Sequence, residues 1–496
     1  MAVTVGVSRL GLGTLRQVPA ESRPLVRPGS VPVGIVHLGL GAFHRAHQAV
    51  YTEEAIGVAG GNWGIVGVAP RSRTVIEPLA EQDCLFSVTT LSGEGSTTRV
   101  VGALAGVRHA ASEPQAVVDL LADPAVRVVT LTVTEKAYQL DPVTGKLRAD
   151  PEVAADLTTD RPPTTVPGLL LRGLAARAAA DAGPVALVSC DNLPANGTRL
   201  RGLVHQALRQ ARVPDGLLDW VADQVTFPGT MVDRIVPAST PDTLAAARRA
   251  LGVSDLAAVD AEPYRQWVVE DDFPAGRPAW ERAGAVLTTD AGAWERLKLR
   301  TLNGVHSATA YLGALAGYET IADALAMPHL TTVLRRLIAE EIAVSFTPPE
   351  GVAVTGYGDE VLSRFANPAI RHRTLQVAMD GSQKLPQRIL HTVADLRAAG
   401  RSARWAALVV AAWLRFAAGQ ADDGTALPLD DPLAGRIRAA LGSGGGNPAA
   451  TVDAVLALDE VFPAEVAADD EFRADVTAWL TALGRHGVAA TLAGAA

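Results

Sequence analysis

Apolar positions along the chain fall into two textures. From residue 33 to 189, short runs rich in β-branched residues alternate with stretches of helical spacing. Residues 33–38 (VGIVHL) read as a buried strand, followed by a glycine turn, a helix over about 44–56 and a second strand over 63–68. Strand, glycine turn, helix and strand in this order form a βαβ unit. Residues 85–91 and 98–104 read as a β-pair. The run 127–133 (RVVTLTV) has the character of a central strand in a parallel sheet, and the helical stretch 167–182 leads into another strand at 185–189. After about residue 290 β-branched runs become rare, and 294–316, 320–326, 330–344, 388–398, 401–418 and 453–458 all show helical spacing. The pattern predicts an α/β amino-terminal domain with a mostly parallel sheet, residues 1–287, and an all-helical carboxy-terminal domain, residues 288–496. Residues 1–30 read as an irregular lead-in, and 442–447 (GSGGGN) as a flexible loop between helices.

Composition narrows the class. The chain has 496 residues, 48% of them hydrophobic and 20% charged, with a formal charge of −9, which is the profile of a globular protein. A mild negative balance argues against a nucleic-acid partner, since phosphate binding needs clustered basic surface. Two isolated cysteines, Cys84 and Cys190, supply neither a disulfide framework nor a cysteine zinc site, which suits a reducing compartment. The first residues (MAVTVGVSRLGLGTLRQ) lack the apolar core of a secretory signal. The purest apolar run, 405–414, ends at Arg415 and falls short of the roughly 20 residues a spanning helix needs. A cytoplasmic protein with no membrane partner is the expectation.

Candidate chemistry begins at the glycine turn. Gly39 permits the tight turn, and Gly41 would let a pyrophosphate approach the backbone at the amino end of the helix, beside Phe43 and His44. His44 stands where the usual fingerprint has a third glycine, and a plain tight βα connection is the alternative. The second strand ends in Pro70-Arg71-Ser72-Arg73, with no carboxylate to hold an adenosine ribose. Arg71 and Arg73 could instead meet a 2′-phosphate, so NADP stays open beside NAD; solvated loop arginines are the bland reading.

Lys298, Asn303 and His306 lie on one predicted helix. In a straight α-helix Lys298 stands about 140° from Asn303, with His306 between them, so the three do not share a narrow stripe. A lysine can act as acid or base for a hydroxyl, an amide can steady a developing alkoxide, and an imidazole can fix a neighbouring hydroxyl. An amphipathic helix with a solvated lysine is the competing explanation. Asn192 and Asn196 follow the strand at 185–189, at the edge where open α/β sheets bind ligands; Asn196 reads equally well as a helix cap. The loop-like stretch 367–386 concentrates Arg371, His372, Arg373 and Lys384 and could grip a carboxylate or a polyol. His44 and His47 have the spacing of half a metal site, but no companion cluster supports one, and no metal is expected.

Taken together, HLGLGAFHRAHQAVYT (37–52), LTVTEKAY (131–138), SCDNLPANG (189–197), FPGTMVDRIVP (227–237), EPYRQWVVEDDF (262–273), KLRTLNGVHS (298–307) and MDGSQKLPQR (379–388) resemble the long-chain polyol dehydrogenase family over nearly the whole chain. That resemblance implies a Rossmann-type amino-terminal domain, a helical carboxy-terminal domain, an active site between them and no zinc. It implies Lys298 as general acid/base, Asn303 and Asn192 as the oxyanion pair, and His306 as a positioning group. Asp233 and Lys384 would bind substrate. Glu135 would lie near the active site on the cofactor side, linked to proton release, with Gly39, Gly41, Phe43, His44, Arg71 and Arg73. The stretch 371–388 looks like the fructuronate reductase branch. Gln376 stands where mannitol 2-dehydrogenases usually carry an arginine, and Arg371, His372 and Arg373 could pair with a uronate carboxylate. The expectation is an NAD(P)-dependent oxidoreductase on D-fructuronate and D-mannonate, a monomer or small homo-oligomer. Mannitol/fructose chemistry and a non-catalytic dinucleotide-binding sensor are the alternatives.

Overall fold

A computed structural model describes residues 8–141, 144–148 and 150–496. The chain divides into two compact units, Met1–Gly292 and Ala293–Ala496.

The first unit holds the strands β1 (Val33–Leu38), β2 (Gly64–Ala69), β3 (Phe86–Ser92), β4 (Gly95–Val101), β5 (Leu104–His109), β6 (Val128–Leu131), β7 (Val185–Ser189), β8 (Val225–Thr226), β9 (Thr230–Asp233), β10 (Val259–Ala261), β11 (Gln266–Glu270) and β12 (Val286–Thr288). Six form one sheet in the order β5-β2-β1-β6-β7-β8, every pair parallel. β2, β6 and β7 are buried along their whole length, as expected of Val- and Ile-rich strands covered on both faces. Strand order reverses between β1 and β6, and the carboxyl ends of these neighbours flank the crevice where such sheets take ligands. Two three-stranded sheets, β10-β3-β4 and β12-β11-β9, complete the unit.

Two sequence-based boundaries shift. The β-pair forms as the β3–β4 hairpin, but Leu104 starts a separate strand at the edge of the main sheet. The helix expected over 44–56 is two helices, α1 (Ala42–Ala46) and α2 (Gln48–Ala59), broken at His47 with φ −125° and ψ −88°. The break has a local cause. The His47 ring lies 3.0 Å from the Gln266 carbonyl through Nε2 and 3.0 Å from the Gln48 amide through Nδ1, so its side chain is pinned to β11.

The second unit is helical, with only isolated bridges, Thr320–Arg373 and Gln420–Ala426, among its described residues. Its centre is the helix Arg404–Ala417 (RWAALVVAAWLRFA), buried on almost every side as an all-round apolar helix should be, and packed on Asp470–Ala495. The segment 294–316 is not one α-helix. Ala291–Leu297 runs into a π turn, Lys298–Asn303, and then into Gly304–Leu315. Further π turns occur at Leu337–Glu341 and Pro386–Leu390. The stretch expected as a loop over 367–386 contains the helices Thr374–Ala378 and Gly381–Leu385. Residues 442–447 make a tight turn. Gly442 and Ser443 end a helix, Gly445 and Gly446 take φ of 57° and 82°, and the Asn447 side chain caps the next helix by accepting from Ala449 and Ala450 N–H. Among the described residues no helix is long and apolar enough to cross a membrane.

Candidate active site

In the first unit the polar groups gather at the carboxyl edge of the main sheet. Gly39 leaves β1 with φ +101°, and a Cβ there would stand 2.2 Å from the Thr132 carbonyl oxygen, so the fold itself demands glycine. Gly41 differs. A Cβ on it would meet nothing nearer than the Gly39 carbonyl at 3.7 Å. Packing does not explain this second glycine, and the room above it suits a ligand lying against the backbone. The helix that follows, α1, has only five residues, so the dipole expected from a helix over 44–56 is cut short.

Beneath the turn lies a polar network that the motif did not reveal. His37, inside β1, lies 2.8 Å from Thr130 Oγ1 through Nδ1 and 2.9 Å from Thr132 Oγ1 through Nε2. Thr132 donates to the Gly39 carbonyl, so His37 Nε2 must carry the proton and Nδ1 accepts from Thr130. Burial pushes His37 down to about 3, and it stays neutral. His44 stacks on it at 3.4 Å between ring centroids. His44 is only 1% exposed. Phe43 is half-buried against His47. Both His47 nitrogens are engaged by Gln266 and Gln48, which closes the half metal site; among the described residues no group of three His, Cys, Asp or Glu could hold a metal. Arg71 and Arg73 are exposed just beyond β2.

The segment after β6 is strained. Thr134 has φ 69° and ψ 158°, a region essentially reserved for glycine. Asp191, just beyond β7, holds it there. Its carboxylate accepts from Thr134 N–H at 2.8 Å, Val133 N–H at 3.1 Å and the Tyr138 hydroxyl at 2.9 Å. Burial raises the Asp191 carboxyl above its ordinary range, against those donors. Glu135 follows Thr134 on the exposed side. Asn196 is no helix cap. Its amide donates to the Asp191 and Thr230 carbonyls and accepts from Thr230 N–H, tying the loop to β9. Asn192 is exposed between these two anchored residues. Asp233 is buried at the end of β9.

In the second unit Lys298, Asn303 and His306 are buried, Lys298 to 7% exposure, which removes the solvated-lysine explanation. Lys298 and Asn303 bound the π turn. Its i→i+5 pattern puts more residues in each turn than an α-helix and carries residues five apart towards one face, which a straight helix does not do. Arg300 pins the turn from its other side, donating to Ser345 at 2.9 Å and pairing with Asp395 at 2.5 Å. The π turn Pro386–Leu390 packs alongside; a Cβ on Gly304 would stand 2.9 Å from the Arg388 carbonyl, and Arg388 donates to Ser307 at 3.0 Å.

His306 stacks on Phe365 and meets His372 edge-on, with ring centroids 4.8 Å apart. Burial first, then the charges of His372, Arg388, Arg364 and Lys384, hold His306 well below its ordinary value. Lys384 donates to the Val377 and Met379 carbonyls, and burial lowers its ammonium. The Asp380-Gly381-Ser382 piece before it is structural. Asp380 is left-handed, Gly381 sits where a Cβ would be 2.3 Å from Trp413 Nε1, and Ser382 is held by Asp431 through N–H and hydroxyl. Arg371, His372 and Arg373 do not act as a block. His372 faces His306, whereas Arg371 is exposed and Arg373 is an exposed partner of Glu319 at 3.7 Å. Sequence reasoning missed His37, Thr134, Asp191, Arg364 and Arg388. A histidine inside an apolar strand and an aspartate directly after one were the available signals.

The family model described as the Mannitol dehydrogenase Rossmann domain matches residues 33–282, and the Mannitol dehydrogenase C-terminal domain matches 290–484. The chain is 42% identical over 462 residues to the uncharacterized oxidoreductase YdfI of Escherichia coli (strain K12), spanning 92% of this chain and 94% of that one. It is 40% identical over 449 residues to the D-mannonate oxidoreductase of the same organism, spanning 90% and 92%. Among solved structures, the Pseudomonas fluorescens mannitol 2-dehydrogenase ternary complex with NAD and D-mannitol superposes with a TM-score of 0.82 at 34% identity, covering 98% of this chain and 99% of that chain.

Proposed function

The chain belongs to the mannitol dehydrogenase family of oxidoreductases, and on that premise we propose that it interconverts D-fructuronate and D-mannonate with NAD. The observation that carries the substrate reading is the basic surrounding of His306: His372, Lys384, Arg388 and Arg364 all act on it electrostatically. Such a neighbourhood suits a carboxylate, which a sugar acid has and a neutral polyol lacks. A relative at 40% identity is a D-mannonate oxidoreductase.

The first unit is the cofactor side. Gly39 and Gly41 would hold the pyrophosphate against the turn, with Phe43 and Glu135 nearby and Arg71 and Arg73 at the ribose end; the space above Gly41 fits this use. NADH bound there supplies the hydride for the substrate carbonyl carbon. The second unit carries the proton chemistry. The Lys298 ammonium gives its proton to the substrate oxygen as negative charge develops there, leaving a neutral amine; in the oxidative direction that amine takes the hydroxyl proton. Asn303 would donate its amide N–H to the same oxygen, a role that the family resemblance gives to Asn192 as well. His306, neutral, orients a neighbouring hydroxyl, and Asp233 and Lys384 fix the sugar chain. Of Arg371, His372 and Arg373, His372 is the one whose ring meets His306.

Initial rates with fructuronate, tagaturonate and fructose, each with NADH and NADPH, test the reading. Fructuronate is expected to have the highest kcat/KM; turnover of fructose with both uronates inert overturns the substrate assignment. Lys298→Ala that binds NADH but turns nothing over separates an enzyme from a sensor, since a sensor has no use for the proton carrier.

A further inference from the structure

The first unit has a second polar concavity, a cavity of about 320 Å³ walled by α2, the β3–β4 hairpin and the segments around Arg234 and Arg265. Ligand sites begin at about this volume. Five charged residues line it: Arg99, Arg234, Arg265, Glu53 and Glu54. Glu54 serves two of the guanidinium groups, Arg265 in a close ion pair and Arg99 at 3.8 Å. Arg234 is buried and donates to the backbone carbonyls of Glu262 and Ala46; burial and Arg265 bring it down to about 10. Arg99 Nη2 is buried with no hydrogen-bond partner. Glu53 does little to balance these cations. Its Oε1 accepts from the backbone N–H groups of Leu25, Val26 and Gly102, and burial pushes its carboxyl up to about 7.

Three guanidinium groups thus meet in a partly desolvated cavity, where Glu54 reaches Arg265 and Arg99, Glu262 draws on Arg234, Glu53 is taken up by backbone N–H groups, and Arg99 Nη2 is left without a partner. Buried positive charge is costly until an anion pairs with it. Guanidinium groups converging from a hairpin and two loops offer the bidentate donors that carboxylates and phosphates take. Arg234 lies one residue beyond Asp233, and alternation along the extended chain turns the two side chains to opposite faces. We infer that this cavity is a binding site for a small anion bearing a carboxylate or phosphate group, held by Arg99, Arg234 and Arg265 and separate from the carboxyl edge of the main sheet. The inference stands apart from the reaction proposed above.

Calorimetric titration of the full chain with inorganic phosphate and with citrate, at fixed ionic strength and with saturating NAD, provides the test. Saturable binding of at least one probe is expected, and which probe binds tells phosphate from carboxylate. Arg99→Gln and Arg265→Gln are each expected to raise the Kd at least tenfold with the circular dichroism spectrum unchanged. Should Arg265→Gln fail to fold, Arg99→Gln, on the hairpin, decides alone. Binding of neither probe, or binding that Arg99→Gln leaves untouched, overturns the inference.

Discussion

In the first unit the groups that face the proposed chemistry stand at the ends of parallel strands, where single backbone conformations set their positions: a left-handed Gly39 and a strained Thr134 held by Asp191. In the second they stand on helices whose winding has been altered, with π turns at Lys298–Asn303 and Pro386–Leu390 packed side by side. A sheet edge already brings several loops together, so a local kink suffices there. A helix spreads its side chains around an axis, and one widened turn changes which of them share a face. The two units also do one thing alike. Each buries a carboxylate that accepts backbone N–H groups, Glu53 in one and Glu341 in the other, and burial raises both to about 7.

The contrast can be broken at several points. Gly39→Ala places a Cβ 2.2 Å from a carbonyl oxygen at a positive φ and is expected to cost on the order of 4 kcal/mol, read as a shift in the denaturation of the first unit. A soluble variant of ordinary stability would show that the turn can relax. Lys298→Ala is expected to lower kcat by about a thousandfold while NADH binding, followed by fluorescence titration, stays unchanged.

The shared carboxylates predict a pH effect common to both units. Between about pH 4.5 and 7 the folded chain keeps protons on Glu53 and Glu341 that the unfolded chain has released. Their contribution to stability is therefore greatest below that window and is lost as pH rises through it, by about 3 kcal/mol for each group. Glu53→Gln and Glu341→Gln should each flatten the fall in unfolding free energy between pH 5 and 8; an unchanged slope would rule the group out as its source. The smallest effect is expected from Arg73→Asp, an exposed position: about a fivefold shift in kcat/KM away from NADPH relative to NADH.

The same contrast explains what could be read in advance. Strands β1, β2, β6 and β7 were visible because β-branched runs have no other good use, and the helical second unit because its spacing is regular. The π turns were not visible. One extra residue in a turn leaves ordinary helical spacing on both sides, so 294–316 scans as a single helix although Lys298 and Asn303 stand where a straight helix would separate them. Thr134 was hidden because its conformation belongs to glycine and its sequence does not. The break at His47 depends on the Gln266 carbonyl, more than two hundred residues away. Adjacent Arg371, His372 and Arg373 looked like one basic grip, but an extended segment turns neighbours to opposite sides, and only His372 comes against His306.

Gly381 lies against Trp413 on the central helix, and Ser382 is fastened to Asp431 by two hydrogen bonds. Lys384 therefore rides on a short helix bolted to the rigid middle of its unit. Its ammonium can swing through its own torsions, but its Cα has no slack to follow a longer or shorter guest. On the proposed assignment of Lys384 to the substrate, retuning the site for another chain length would proceed by exchanging the residues opposite this lysine, with the lysine itself a fixed gauge.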